Sequence, residues 1–358
     1  MVEKREIVRC YVANGLKVPV ATAIADIKRS TYYYRPNGKP KGKQPSTHTL
    51  KYNEGRVRNE VVVDEIMDLI SPEYNDYGYQ TASELLKQKG YIINHKKVRR
   101  LMRDYNLLHP KVVKYIPSNK VFIQYTIPPL IAPYDTIEAD IKYVYIHGEK
   151  RNAFLLTFLC TFSRHAPIWS LDYSMKSSQI VQLLQSLLDH YIVKEFIDPG
   201  KTKVNIRTDN GPQFIAKVLA EALDKLQIKH EFIQPGTPQQ NGHIESFHNT
   251  VTRLVCNRNI FFDIIHAREI FTGFYYAYNN TRVMKALLYY PPVKFLGFWK
   301  AGLIGIKKDK KGKEKFFFRG KPASLIKAGS SPEELYELKE SNIFESSVIK
   351  TKEISPVL

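Results

Sequence analysis

The chain has 358 residues, 43% of them hydrophobic, and its 54 lysines and arginines against 35 acids give a net charge of +19. That length holds two or three domains, and the apolar share excludes a disordered basic tail, while the charge favours a polyanionic partner through phosphate contact and counterion release. The N-terminal stretch "MVEKREIVRCYV" has charges where a signal peptide needs an apolar run, and no stretch reaches membrane-spanning length, so no membrane association is expected. Cys10, Cys160 and Cys256 are far apart and odd in number, and read as reduced core thiols, not as a disulfide framework or a zinc site.

Residues 1–36 read as a small helical, helix-turn-helix-like element. Gly15 suits a helix C-terminus and Pro19 a first helical turn, and Tyr32, Tyr33 and Tyr34 are expected to pack its core. The Gly, Pro, Lys and Ser-rich residues 37–56 read as a linker without fixed structure. Residues 57–108 form a second helical unit: "NEVVVDEIMDLI", then "TASELLKQKG" closing on Gly90, then "HKKVRRLMRDY" capped by Asn94. In the last of these, Val98, Leu101, Met102 and Tyr105 share one face at helical spacing and Lys96, Lys97, Arg99, Arg100 and Arg103 take the other. One face packs; the other is either a solvated basic surface or a phosphate-binding one, and the overall charge favours DNA. Residues 109–134 are a basic, proline-bearing connector.

The periodicity then changes. "TIEADIKYVYI" alternates, with Ile137, Ala139, Ile141, Tyr143 and Tyr145 on one face and Thr136, Glu138, Asp140 and Lys142 on the other. "NAFLLTFLCTF" is a near-continuous apolar strand and "APIWSLDYS" a third. A helix, the strand "KVNIRT", a helix, the short strand "KHEFI" and the helix "NGHIESFHNTVTRLVCN" follow, which makes a mixed five-stranded α/β core flanked by helices over residues 135–258. Residues 259–300 read as a helical closing segment, and the basic tail 301–358, with "KKDKKGKEKFFFRG", has no assignable role.

Phosphoryl transfer on nucleic acid by two divalent metals needs a few carboxylate oxygens from converging elements, with the metals roughly 4 Å apart. Asp140 sits mid-strand on the polar face of the first strand, Asp209 at the end of the fourth before "NGPQF", and Glu245 on the helix behind "PGTPQQNG". An acid in a first helical turn can do no more than favour the helix dipole. What raises Glu245 above that is the company it keeps, "RTDNGPQF" and "GTPQQNGHIESF" around acids in the right order. Ile244, Phe247, Val251 and Leu254 would secure the opposite side of its helix. His243 and His248 read as packed or exposed helix histidines and not as ligands.

On these words the segment from about 135 to 258 resembles the catalytic core of the retroviral-integrase superfamily as found in transposases of bacterial insertion sequences. "YNDYGYQTASELLKQKGYIINHKKVRRLMRDYNLL" is similar to the helical domain that precedes that core, "IKRSTYYYRP" to the start of the second-reading-frame product, and "YYAYNNTRVMKALLYYPP" to the closing segment. The resemblance implies an RNase H-like α/β fold preceded by small all-α domains, and a DDE-type transposase. It implies Asp140, Asp209 and Glu245 as catalytic metal ligands for two Mg²⁺ ions, replaceable by Mn²⁺, with 35 residues (210–244) between the last two. Implied partners are double-stranded DNA, further copies of the chain in a synaptic complex and an upstream reading-frame product; the implied location is the bacterial cytoplasm, at the nucleoid. Gln239, Asn241, Asn249 and Arg253 are the candidate DNA contacts near Glu245. There are departures: Trp and Thr flank the first acid in the family, where this chain has Ile137 and Lys142, and the basic residue two turns after the glutamate is Thr252, with Arg253 beside it. Glu138, on the same strand face, is the rival to Asp140. Two other functions stay open, an RNase H-like nuclease that cuts without joining and a catalytically silent DNA-binding protein.

Overall fold

A computed structural model describes residues 2–34, 45–109, 131–197, 203–234, 238–310 and 312–319. The chain divides into two units, 1–47 and 48–358. In the first, α1 (Val2–Ala13), α2 (Val18–Ile24) and α3 (Arg29–Tyr33) enclose a small core of Val8, Ala21 and Ala25. Gly15 has the positive φ (94°) expected of a helix end, and Pro19 lies in the first turn of α2. Of the three tyrosines only Tyr32 packs against that core; Tyr33 and Tyr34 are exposed, because so short a helix has one buried side. Cys10 is exposed on α1, contrary to the expected core thiol, while Cys160 is buried.

The second unit begins with a correction. Its first elements, β1 (His48–Lys51) and β2 (Gly55–Arg58), form a hairpin that begins in the stretch expected to be linker, 37–56, and ends in the expected helical unit. Asn53 and Gly55 supply the positive φ values (64° and 75°) that close so tight a turn. Helices α4 (Asn59–Ile70) and α5 (Tyr79–Gln88) follow, then β3 (Tyr91–Ile92), which adds to β1, and α6 (His95–Asp104). The helices close on Val62, Val63, Ile66, Leu86, Val98, Leu101 and Met102. Asn94 caps α6 by accepting from the Lys96 N–H at 2.8 Å. Tyr105 ends that helix exposed instead of packing. Most of the basic connector, 110–130, lies outside the described residues.

Residues 135–258 carry β4 (Thr136–Ile146), β5 (Arg151–Cys160), β6 (Ile168–Asp172), α7 (Ser177–Asp189), α8 (Tyr191–Lys194), β7 (Asn205–Thr208), α9 (Lys217–Lys225), β8 (Lys229–Phe232) and α10 (Gly242–Val251). The strands form one mixed sheet in the order β6-β5-β4-β7-β8, antiparallel on the β5 side of β4 and parallel on the β7 side. Alternation along β4 sorts its side chains between two cores. Ile137 and Ala139 pack with α7 and α9; Val144 and Ile146, in step with Asp140, pack with α10, a π-helical turn (Thr252–Cys256) and α11 (Ile264–Asn280). Tyr143 and Tyr145 run out of the first core and are exposed.

Beyond α12 (Pro292–Lys300), the start of the unassigned tail is structured. A hairpin of β9 (Ile304–Lys308) and β10 (Glu314–Phe318) adds Ile304 and Phe316 to the core shared by α7, α9 and α12. Residues 320–358 lie outside the described residues. Among the described residues no helix is long and apolar enough to cross a membrane.

Candidate active site

Three elements position the acids. On β4 burial falls away from Ala139 to Asp140, whose side chain is 30% exposed. The parallel register pairs Glu138 with Arg207 across β4 and β7, and Asp140 and Asp209 each follow two residues further along the chain from that pair. The electrostatics agree. Burial holds the Asp209 carboxyl above the usual range and the Asp140 charge adds to that, while the Gly211 N–H, donating to Asp209 Oδ1 at 3.0 Å, acts against them.

Glu245 stands exposed in the first turn of α10, whose other side is anchored by buried Ile244, Phe247, Val251 and Leu254. One turn further on, in the stripe that includes Glu245, His248 places Nδ1 3.2 Å from Asp140 Oδ2. Its other ring nitrogen is buried without a hydrogen-bond partner. His248 is therefore the link between the glutamate helix and the strand acid, a role missed from sequence although its spacing from Glu245 was readable. Among the described residues no three His, Cys, Asp or Glu side chains converge as a metal cluster; the structure brings Asp140 and Asp209 together and leaves Glu245 a helical turn from the contact. The donor set is all-carboxylate and partly exposed, and two adjacent carboxylates that repel each other suit a hard divalent cation.

Glu138 does something else. It is 1% exposed, its Oε2 accepts the Ile244 N–H at 2.7 Å, and its Oε1 lies 3.9 Å from Arg207 Nη1. Burial pushes its carboxyl up to about 7, against the lowering influence of the Ile244 N–H and Arg207. Arg207 also donates to the Gln240 carbonyl (3.2 Å) and the Glu231 carboxylate (3.0 Å). Together they tie the loop before α10 and the start of that helix to the sheet. Burial and the Arg164, Arg207 and Lys313 charges depress His243 to about 3.

The candidate DNA contacts fall in different settings. Lys96, Arg99 and Arg103 are exposed on α6; Lys97 donates to the His48 carbonyl, Arg100 is partly buried, Arg99 lies 5.6 Å from the Tyr79 ring centre and Arg103 pairs with Asp104. Asn249 is exposed on α10, whereas Asn241 is buried with its side-chain oxygen unpartnered. The Gln239 side chain lies outside the described residues. Arg253 pairs with Asp76, which also takes Arg282 at 2.7 Å. Arg282 further donates to the Tyr74 carbonyl (2.6 Å) and Arg258 to that of Glu73 (2.7 Å), so the α4–α5 loop is strapped onto the core.

The sequence matches the integrase core domain family over residues 132–238 and, through a second description of that core, over 226–292; an HTH-like domain matches over 57–115. The chain thus carries an integrase core, with an RNase H-like fold, behind an HTH-like domain. A 39.2 kDa protein of insertion element IS476 from Xanthomonas euvesicatoria is 26% identical over 227 residues, 63% of this chain and 62% of that protein. The chain thus spans about three-fifths of that relative. The transposase for insertion sequence element IS904 of Lactococcus lactis subsp. lactis (strain IL1403) is 25% identical over 249 residues, 67% of this chain and 95% of that one. Among solved structures, the HTLV-2 integrase catalytic core domain in complex with magnesium aligns over 46% of this chain and 97% of that chain, with 18% identity and a TM-score of 0.32.

Proposed function

We propose that this chain is a DDE-type insertion-sequence transposase, of the polynucleotidyl transferase class, that cuts DNA at the ends of a mobile element and joins the freed 3′ hydroxyl to a target strand, with Asp140, Asp209 and Glu245 holding Mg²⁺. The observation that carries the reading is the Asp140–Asp209 pair at the sheet centre, with the helix of Glu245 docked onto Asp140 through His248. Asp140 is favoured over Glu138 as the first ligand because Glu138 has its oxygens directed to Ile244 and Arg207.

Two in-line displacements make up the reaction. In the first, a water oxygen bonds to phosphorus and the 3′ oxygen of the element end leaves; in the second, that 3′ oxygen bonds to a target phosphorus and a target 3′ oxygen leaves. Bound divalent ions would supply the stabilisation of attacking and leaving oxygens. The chain's own part is to orient. Glu138 and Arg207 fix where α10 starts, His248 holds Asp140, and Gly211 holds Asp209. The partner is duplex DNA, approached by the basic side of α6, and bringing two ends together calls for more than one copy of the chain.

Glu245→Gln removes a ligand from an exposed position without touching the core. It should leave binding of an element-end duplex within about twofold and lower Mg²⁺-dependent nicking by at least about a hundredfold, a loss of the size expected when a group that stabilises developing charge is removed. Undiminished nicking would remove Glu245 from the ligand set.

A further inference from the structure

Residues 304–319 carry seven cations against two acids. They do not hang free. The inner face of the β9–β10 hairpin packs Phe316 against Phe162 and Phe295 (ring centres 4.9 and 4.8 Å apart) and Phe318 against Tyr290 and Phe298 (5.7 and 5.6 Å). The Arg319 N–H donates to the Leu303 carbonyl at 2.7 Å and closes the open end.

The outer face is built differently. Lys307 and Lys315 are direct cross-strand partners, and like charges so placed destabilise a hairpin. Only Lys315 has an acid against it, Asp309 at 2.8 Å; Lys307 lies 5.2 Å from the Phe317 ring centre. The Phe317 ring closes over Gly305, where a Cβ would come within 2.8 Å of the ring and 3.1 Å of Arg319 Nε. The outer face thus presents Lys307, Lys315 and Arg319, all exposed, around one aromatic ring on a fixed scaffold. Such a face suits a phosphate backbone better than water alone.

We propose that the outer face of the β9–β10 hairpin, through Lys307, Lys315 and Arg319, is a second duplex-DNA contact that grips phosphates. The proposal rests on the transposase reading and extends it to a segment outside both matched domains.

The test is binding of a labelled 30-base-pair duplex of arbitrary sequence to the full chain over a salt series, for wild type and for Lys307→Gln/Lys315→Gln/Arg319→Gln. Three lost phosphate contacts should make the slope of log affinity against log salt shallower by about 2.7 and weaken binding at least about tenfold at 0.1 M salt. An unchanged slope and affinity overturn the proposal. Should the triple variant melt below wild type, lysine acylation of the wild-type protein replaces it: duplex should protect Lys307 and Lys315, and polyglutamate of equal charge should not. Equal protection by both polymers, or by neither, also overturns it. Asp209→Asn, run alongside, separates the two ideas. If it loses nicking while the hairpin variant binds like wild type, the hairpin proposal alone falls; wild-type protein that binds no duplex at low salt removes both.

Discussion

Glu138 illustrates how one side chain can settle where another stands. With its carboxylate buried against the Ile244 N–H and Arg207, it holds the first turn of α10, and so Glu245, against the sheet. Glu138→Ala leaves a buried N–H and a buried guanidinium short of a partner and should cost about 3 kcal/mol of unfolding free energy in denaturant titration. Glu138→Gln keeps an acceptor oxygen and should cost less than half as much; equal losses would show that the contact does not hold the helix. A second buried group sets an acid limit. Burial, together with the neighbouring His190, depresses His165 from 6.5 to about 3, and its ring is hydrogen-bonded to Tyr134 at 2.6 Å. The unfolded chain therefore takes up a proton below about pH 6.5 that the folded chain refuses until about pH 3. Stability from this group is complete above pH 6.5 and falls through that window by about 1.4 kcal/mol per pH unit, so His165→Gln should make the acid slope in melts run from pH 7 to 4 shallower by about that amount and leave the share of the similarly depressed His243. A slope as steep as that of wild type would assign the acid loss elsewhere.

At the scale of elements, what periodicity governs was readable and what depends on distant pairing was not. The β4 alternation, the buried β5 run and the Asn94 cap all follow from local sequence, as do Asp140, Asp209 and Glu245 as candidates. The β1–β2 and β9–β10 hairpins were hidden because lysine-rich text reads as linker or tail, although each strand needs only one apolar side chain in two to dock. Nor could sequence pair Arg253 with Asp76, since such contacts exist only once α4–α5 and α11 are packed together. That strap is testable. Asp76 is 10% exposed at its side chain, and Asp76→Ala should destabilise by about 3 kcal/mol and speed amide exchange in residues 71–78 first; exchange unchanged there would show that the arginines are satisfied without it. At the β4–β5 turn a Cβ on Gly148 would lie 2.0 Å from the Phe262 carbonyl oxygen, a backbone atom that cannot swing aside. Gly148→Ala should cost about 1–3 kcal/mol by driving the 258–262 loop off the sheet, and a melt equal to wild type would contradict the contact.

On the scale of the whole molecule, the +19 charge is distributed among several parts of the chain. The α6 face belongs to the HTH-like domain, the carboxylates to the integrase core, and the β9–β10 cations to a hairpin beyond both. A pair of acids, Asp140 and Asp209, in so basic a chain makes sense where cations mediate between those carboxylates and DNA phosphates. The most direct test of that division is to incubate the full chain, with Mg²⁺ or Mn²⁺, with labelled duplexes bearing the terminal sequences that flank its gene, beside Asp209→Asn. The account predicts metal-dependent nicks and joined products from wild type, and from Asp209→Asn the same duplex bound but neither nicked nor joined. Nicks without joined products would make this a nuclease, and duplex bound without any cleavage under either metal would contradict the catalytic reading of Asp140, Asp209 and Glu245.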